Sequence, residues 1–438
     1  MNTNGKHVVV LGAGFGGLTF CQKFDHPNTH VTIVDRQNHH LFQPLLYQVA
    51  SAGLSAPDIA QPIRAILSKN RETDVLMEEV LDFNLAERQV VLSKDILTYD
   101  YLVLALGSVT SYFGHPEWEQ FAPGLKSLDD ALHIRRNILL AFEHADDETD
   151  PQRQQELMTI VVVGGGPTGV ELAGTFAELA RFVLRRDFRH IDPSRARVIL
   201  VEGSPRVLSN FPEHLSVKAT EQLQKLGVEV LTGVRVQNIT QGCVHLADRQ
   251  ICAANIIWAA GVSASPLTKK LGVELDKAGR VKVNPDLSIP GHPNVFAIGD
   301  MALCIQPDGK PVPGVSPSAM QEARHIARII EHELDGKTGT RPPFKYWDKG
   351  TMATIGRSAA VAQIKNLQLS GWIAWMMWLV VHLLFLVGFR NKISVLIQWT
   401  YSYLTYKRGA RIITGVDEVP NQPPKPEKPA QPALAPHG

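Results

Sequence analysis

The sequence predicts an α/β protein with two Rossmann-like dinucleotide-binding domains and a C-terminal membrane-associating helical segment. Three observations predict it. A strand, a glycine-rich turn and the start of a helix occur twice, as HVVVLGAGFGGLTF at 7–20 and TIVVVGGGPTGVELAG at 159–174, and this repeat points to two nucleotide sites. Each copy is followed by short apolar runs rich in Val, Ile and Leu, the pattern of parallel strands buried on both faces. Near the end, GWIAWMMWLVVHLLFLVGF at 371–389 has no formal charge and only His382 as an ionisable group.

Taken in order, VTIVD (31–35) and DYLVLALGS (100–108) read as further parallel strands beside the first copy. Residues 144–156, acidic and Gln-rich, break the apolar pattern and read as surface between domains. After the second glycine turn, AELARFVLRRDFRHIDPSRAR (177–197) reads as a long helical stretch. The strand VILVEG (198–203), a helix near 217–226 and the strands in GVEVLTGVRVQNIT, CVHLAD and ANIIWAAGV close the second unit by Val262. VFAIGD (295–300) is a strand ending in Gly-Asp, and a helix from about 317 to 334 returns the chain to the first domain. The expected division is 1–115 with 285–345, then 155–280, then a C-terminal region over 346–415. Residues 416–438, rich in proline, are expected to be a disordered tail.

Composition narrows the function. Forty-four Lys and Arg against 43 Asp and Glu leave a net charge of +1, so no global attraction to polyanions exists and a nucleic-acid partner is disfavoured. Cys21, Cys243, Cys252 and Cys304 stand far apart with no CxxC pair, which predicts reduced thiols in a cytosolic compartment. The N-terminus runs straight into a strand, with no export signal expected.

The glycines carry the chemistry. Gly12 permits a tight turn, Gly14 lets the backbone approach a diphosphate, and Gly17 lets the helix pack on its strand, while the helix N-terminus offers N–H groups to phosphate. Asp35, 23 residues after Gly12, stands where a carboxylate takes ribose hydroxyls. Gly164, Gly166 and Gly169 repeat the pattern, with Glu202 at 38 residues from Gly164. The usual spacing is about 20. The excess is the basic stretch around Arg185, Arg186 and Arg189, read as a solvated face, with a membrane-facing surface as the alternative. Glu202 would accept ribose hydroxyls and repel a 2′-phosphate, so NADH is favoured over NADPH. Two dinucleotide sites in one chain suit a flavin held between a nicotinamide and a second acceptor. Asp300 would then reach ribityl hydroxyls.

From 8 to about 414 the chain resembles the type II NADH:quinone oxidoreductases, a branch of the two-dinucleotide-binding-domain, glutathione-reductase-like flavoproteins. The resemblance rests on HHLFQPLLYQVASAG (39–53), GGGPTGVELAG (164–174), WAAGV (258–262), VFAIGD, PSAMQEARHIA (317–327) and the apolar segment with GFRNK. It implies non-covalent FAD held by Gly12, Ala13, Gly14, Phe15, Gly16, Gly17, Asp35, Val80, Gly107, Gly299 and Asp300. It implies NADH as substrate on Gly164, Gly166, Gly169, Glu202 and Gly261, a quinone as acceptor, and no proton pumping. Two catalytic residues carry over: Gln321 beside the flavin near the quinone head group, with Met320 replacing a small residue, and Glu171 near the nicotinamide and flavin. Some members place a second acid one turn later; here that position is Thr175, with Glu178 further on. Pro44 and Leu45 are expected to wall the flavin pocket.

Cysteine placement separates this reading from its neighbours. No CxxxxC follows the first glycine turn, which excludes disulfide reductase chemistry. Sulfide:quinone reduction needs cysteines at the flavin, whereas Cys243 and Cys252 fall in predicted strands of the second domain and read as small buried hydrophobes. No metal site is expected, because His382 has no second ligand at metal spacing. An NADH-dependent reductase of a soluble acceptor such as ferredoxin, and a redox-sensing flavoprotein, stay open as alternatives.

The apolar segment is near the roughly 20 residues a spanning helix needs. Trp372, Trp375 and Trp378 at one end, Arg390 and Lys392 at the other, and Trp399, Tyr401, Tyr403 and Tyr406 before Lys407 and Arg408 suit an interfacial helix pair instead. The expectation is monotopic attachment to a lipid bilayer surface at the cytoplasmic face of the cell membrane. A single transmembrane span is the alternative, and a homodimer interface stays open.

Overall fold

The computed structural model describes residues 5–70, 72–337, 339–405 and 409–414. The expected proline-rich tail, with Tyr406, Lys407 and Arg408, lies outside the described residues. Strand β1 (Lys6–Leu11) leads through the glycine turn into α1 (Phe15–Lys23) and β2 (Thr29–Asp35). A short helix α2 (Leu46–Ala50), β3 (Thr73–Met77), β4 (Tyr101–Leu104) and the long α3 (Leu128–Asp147) follow. Val8, Val9, Val10 and Leu11 are wholly buried, so β1 sits centrally, paired in parallel with β2 and β4.

The second unit repeats the plan with β5 (Thr159–Val163), α4 (Pro167–Glu178), β6 (Arg197–Glu202), α5 (Glu213–Lys225), β7 (Val228–Thr232) and β8 (Asn255–Trp258). Its parallel sheet has the order β7-β6-β5-β8. The chain then returns: β9 (His292–Ala297) pairs with β4 and extends the first sheet to β3-β2-β1-β4-β9, with Ser288–Ile289 at its edge. Helix α6 (Ser316–Leu334) packs on α1 in a core that joins Leu18, Phe20 and Cys21 to Ala323, Ile326, Ala327 and Ile330.

A three-stranded antiparallel sheet follows, β10 (Thr351–Thr354), β11 (Ala360–Ile364) and β12 (Leu367–Gly371), and then α7 (Trp372–Phe385) and α8 (Phe389–Thr405). The apolar run is thus split. The 14 residues of α7 make about 21 Å of helix, short of the roughly 30 Å hydrocarbon layer. Leu386 takes an extended ψ of 133° and Gly388 a φ of +85°, so the chain turns back and α8 starts a new helix. Among the described residues no helix is long and apolar enough to cross a membrane, and no described helix carries the single-span alternative.

Two further expectations are corrected. Residues 177–197 are not one helix: α4 gives way to one wide turn over Leu179–Val183, and only a short 3₁₀ turn, Pro193–Arg195, follows. The Asp146 carboxylate accepts the backbone N–H groups of His190 and Ile191, which ties this stretch down in a non-helical course. Residues 144–156 lie at the surface apart from Ala145, and most of them are helical: α3 runs to Asp147, and a helix over Pro151–Leu157 is capped by Asp150, which accepts the Gln152 N–H. Cys243 and Cys252 are not reduced thiols but a disulfide. They stand directly opposite each other in the antiparallel pair Cys243–His245 and Gln250–Cys252, with Cα atoms 4.1 Å apart, and a hairpin register of this kind cannot be read from a spacing of nine residues. Cys21 and Cys304 are buried free thiols. Alkylation of the unfolded protein without reductant should therefore label two cysteines, and four after reduction; intact mass spectrometry reads the difference, and four labels without reductant would exclude the bridge.

Candidate functional site

Both glycine turns are built the same way, by contacts that no side chain could survive. A Cβ on Gly17 would lie 1.9 Å from the carbonyl oxygen of Gly12, and one on Gly169 would lie 1.8 Å from that of Gly164. Gly12 and Gly164 have φ of +95° and +112° and press on the carbonyls of Ala105 and Ala259, where only glycine is unstrained. Gly14 and Gly166, the N-caps of α1 and α4, are different: nothing lies within 4 Å of where their Cβ atoms would project. That open space beside two helix N-termini fits a dinucleotide diphosphate in each half.

The two acids also match. Asp35 accepts the N–H groups of Ala13 at 2.7 Å and Gln37 at 2.8 Å, and Glu202 accepts those of Gly165 and Ser204. Each carboxylate ties its glycine turn to the end of the neighbouring strand. The long insertion before β6 therefore leaves Glu202 where Asp35 stands in the first half, despite the unequal spacing.

Around the first turn, Ala13 and Gly16 are buried, Gly16 against Ile298, and Phe15 meets His40 and Phe42 edge-on. Val80 packs in the core with Leu11 and Val34, so it offers a ligand its backbone alone. Gly107 and Gly299 adopt left-handed φ of +68° and +69°. Asp300 accepts the hydroxyl of Ser108 at 2.6 Å. Leu45 is fully buried and Pro44 half-exposed. In the second half, Gly261 accepts the Ser111 N–H through its carbonyl and lies against the Phe113 ring, which a Cβ would meet at 2.7 Å.

Two residues at the first site escape sequence reasoning. His40 is buried; its Nδ1 bonds the carbonyl of Ala13 at 2.9 Å, burial holds the ring below the usual histidine pKa, and its Nε2 has no partner among the described residues. This orphaned nitrogen beside the glycine turn fits a bound cofactor. Glu322 is buried on α6 and accepts the Gly299 N–H at 2.6 Å, and burial pushes its carboxyl up to about 7. It fixes the Gly299–Asp300 turn from below. Only its place beside Gln321 in PSAMQEARHIA could have signalled it.

Glu171 lies on α4 against the C-terminal sheet. Burial pushes its carboxyl up to about 8, opposed by a hydrogen bond from the Thr354 N–H. Thr354 Oγ1 is 3.0 Å from Tyr47 Oη, which receives Gln48 Nε2 at 3.0 Å, and Gln48 Oε1 accepts the Trp399 indole N–H at 2.8 Å. A buried polar chain thus runs from α8 to Glu171. Thr175, in the place of the second acid, turns its hydroxyl back to the Glu171 carbonyl, and Glu178 is buried and accepts the Arg357 N–H at 2.6 Å. Tyr47, Thr175, Glu178, Arg357, Trp378 and Tyr403 line a cavity between α4 and the C-terminal helices.

Gln321 is bonded to the chain beyond α6. Its Nε2 donates to the Trp347 carbonyl and its Oε1 accepts the Trp347 N–H, both at 3.0 Å. The amide clamps the strand-like approach to β10 and keeps one N–H and one lone pair for a ligand. Replacing Glu202 by Ala should weaken NADH binding at least tenfold while FAD stays bound, since the carboxylate braces the second turn and stands where a ribose hydroxyl would be accepted; titration of flavin bleaching with NADH measures it, and loss of FAD instead would mean that the sites are exchanged.

The pyridine nucleotide-disulphide oxidoreductase family matches residues 6–323, and the NDH2 C-terminal domain family matches residues 348–407. The chain is 47% identical to the type II NADH:quinone oxidoreductase Ndh of Mycobacterium tuberculosis over 421 residues, covering 93% of this chain and 90% of that one. It is 44% identical to NdhA of the same organism, covering 94% and 90%. Among solved structures, that of NDH2 from Plasmodium falciparum in complex with NADH shares the fold with a TM-score of 0.86 at 22% identity, covering 92% of this chain and 99% of that one. Two glycine turns of one design, a carboxylate bracing each, and a C-terminal unit that matches along its length agree with these likenesses: the chain belongs to the type II NADH:quinone oxidoreductases.

Proposed function

We propose that this protein oxidises NADH at the second glycine turn and reduces a membrane quinone through FAD held at the first, at a bilayer surface on the cytoplasmic side. When bound, FAD supplies the two-electron carrier between the nicotinamide and the quinone. Gly12–Gly17, Asp35, the Val80 backbone, Gly107 and Gly299–Asp300 would hold it, with His40 and Glu322 as added supports. Gly164, Gly166, Gly169, Glu202 and Gly261 would hold NADH. The observation that carries the reading is the pair of matched turns, each with open space at its helix N-terminus and a carboxylate at the next strand end.

Reduction of a quinone to a quinol by NADH takes up one proton from water. Glu171 suits the task of holding it: with its carboxyl pushed up to about 8, it is protonated at neutral pH, and the Thr354 N–H fixes its orientation. Gln321, through Trp347, positions the chain that leads into the C-terminal sheet. Thus the two-electron transfer belongs to the cofactor and substrates, and the protein aligns them and moves one proton.

The outer faces of α7 and α8 expose Trp372 and Ile397, each about three-fifths accessible, with Ile373, Val380, Leu384, Leu396 and Tyr401. Lys392 donates to the Leu384 carbonyl, and Lys349 lies over the Trp347 and Phe385 rings. Apolar side chains flanked by aromatic and basic groups favour a helix pair lying in the headgroup boundary. The inner faces are held to the body: Asp58 accepts Ser394 Oγ at 2.8 Å and Gln398 Nε2 at 2.9 Å, and Trp378 and Trp399 join the core.

Anaerobic stopped-flow mixing with NADH and then a quinone should bleach and restore flavin absorbance. The restoring step should slow as pH rises through about 8, where Glu171 loses its proton, and Glu171→Gln should be slow at all pH values with that decline gone; bleaching without restoration would point to a soluble acceptor or a sensor. Removal of 371–438 should release the protein from lipid vesicles and reduce turnover with a long-tailed quinone several-fold more than with a short soluble analogue. Equal loss with both acceptors would rule out a docking role for the helix pair.

A further inference from the structure

Lys126 is a cation beside Ser108 and Asp300 of the candidate first site that the function above does not use. It lies in the strap between the two halves: the Pro123 carbonyl accepts the Trp258 N–H at 3.0 Å, and Gly124 forms an isolated bridge with Trp258 at the end of β8. Its backbone is clamped from two sides. The Lys126 N–H donates to Asp130 Oδ2 at 2.9 Å in the capping box of α3, and its carbonyl accepts Gln43 Nε2 at 3.2 Å. The side chain runs inward, three-quarters buried, and Nζ donates to Ser108 Oγ at 2.9 Å. The Ser108 hydroxyl in turn donates to Asp300 Oδ2 at 2.6 Å, and Nζ is 3.9 Å from that same oxygen.

An ammonium has three N–H donors. Among the described residues Lys126 gives one of them to Ser108, and burial pulls the group below the usual lysine range, with Asp300 opposing. Taking a charge out of water and leaving donors unmade is costly, and a bound group that carries acceptors or negative charge at this place offsets the cost. We infer that Lys126 is the cation that faces the bound flavin, holding Asp300 through Ser108 and countering the negative charge that the flavin gains on reduction. The charge balance is simple. NADH gives up a hydride, two electrons and a proton, and becomes the cation NAD⁺. With that hydride a neutral flavin held here would gain one negative charge, which it would give up when the quinone takes the electrons. A fixed cation nearby therefore stabilises the reduced cofactor relative to the oxidised one and raises its potential.

This inference rests on the reading of Asp300 as a flavin contact. The experiment is a two-electron redox titration of the purified holoenzyme and of Lys126→Gln and Lys126→Arg, with FAD content measured on each. Lys126→Gln keeps a donor for Ser108 without the charge. It should shift the oxidised-to-reduced ratio at fixed potential at least tenfold toward oxidised, a fall of about 30 mV for a two-electron couple. Flavin reduction by NADH should slow, while oxidation of the reduced protein by quinone should not, a split that a merely structural role would not produce. Lys126→Arg should stay near the wild-type potential. A Lys126→Gln protein that retains FAD at an unchanged potential overturns the inference. If Lys126→Gln sheds FAD, the titration is made on protein reconstituted in excess FAD, and the same potential decides. Asp300→Ala that retains FAD at unchanged affinity would instead sink the flavin reading of the first site.

Discussion

The closeness of each glycine turn to its own helix governs the rest of this structure. With under 2 Å between the carbonyl of Gly12 and any Cβ on Gly17, and the same between Gly164 and Gly169, the helix can sit against its strand only if no side chain intervenes. That approach aims the first N–H groups of α1 and α4 into the crevice at the strand ends. Asp35 and Glu202 then lock the turns by accepting backbone N–H groups from them. One interaction thus both shapes each loop and fixes a carboxylate at the strand end beside it. Strain at Gly12 and Gly164 is avoided by glycine alone, which is why both halves use identical residues there.

The C-terminal unit is held to the flavoprotein body by polar contacts on its inner side and exposes an apolar face outward. Asp58 gathers Ser394 and Gln398, and Gln48 takes the Trp399 indole. Full burial of a large side chain such as Trp378 contributes on the order of 2–3 kcal/mol, so the pair is docked by ordinary core packing as well. From Trp399 the hydrogen bonds continue through Gln48, Tyr47 and Thr354 to Glu171. Helix α8 and the Glu171 carboxyl therefore belong to one hydrogen-bonded network, and such a network orients its members more firmly than isolated bonds would.

Carboxyls that accept backbone N–H groups divide the labour between the two halves. Glu322 braces the turn that presents Asp300, Glu171 meets the C-terminal sheet, and Glu178 holds the Arg357 backbone. Each is paired with a backbone N–H, which is the least costly way to keep a carboxyl out of water. The strap at 123–127 meets the second half at Trp258, and Lys126 is the cation it sets beside Ser108 and Asp300.

Sequence by itself determined the features whose cause is local. The two glycine turns, the continuous apolar strands, the return helix α6 and the separate character of the C-terminal region were legible because each follows from residue type, spacing or periodicity within a few turns of chain. Tertiary structure decided whatever depends on partners far along the chain. The pairing of Cys243 with Cys252 needed a hairpin register, the course of 177–197 needed Asp146, and the split of the apolar run needed the turn at Leu386–Gly388. Gln321 was legible as a polar helix residue in a motif, yet its bonds to Trp347 arise only when the chain beyond α6 folds back. His40, Glu322 and Lys126 look like ordinary polar residues in the sequence. Only packing takes them out of water and sets them beside Ala13, Gly299 and Asp300, because desolvation and long-range hydrogen bonding have no local pattern to read.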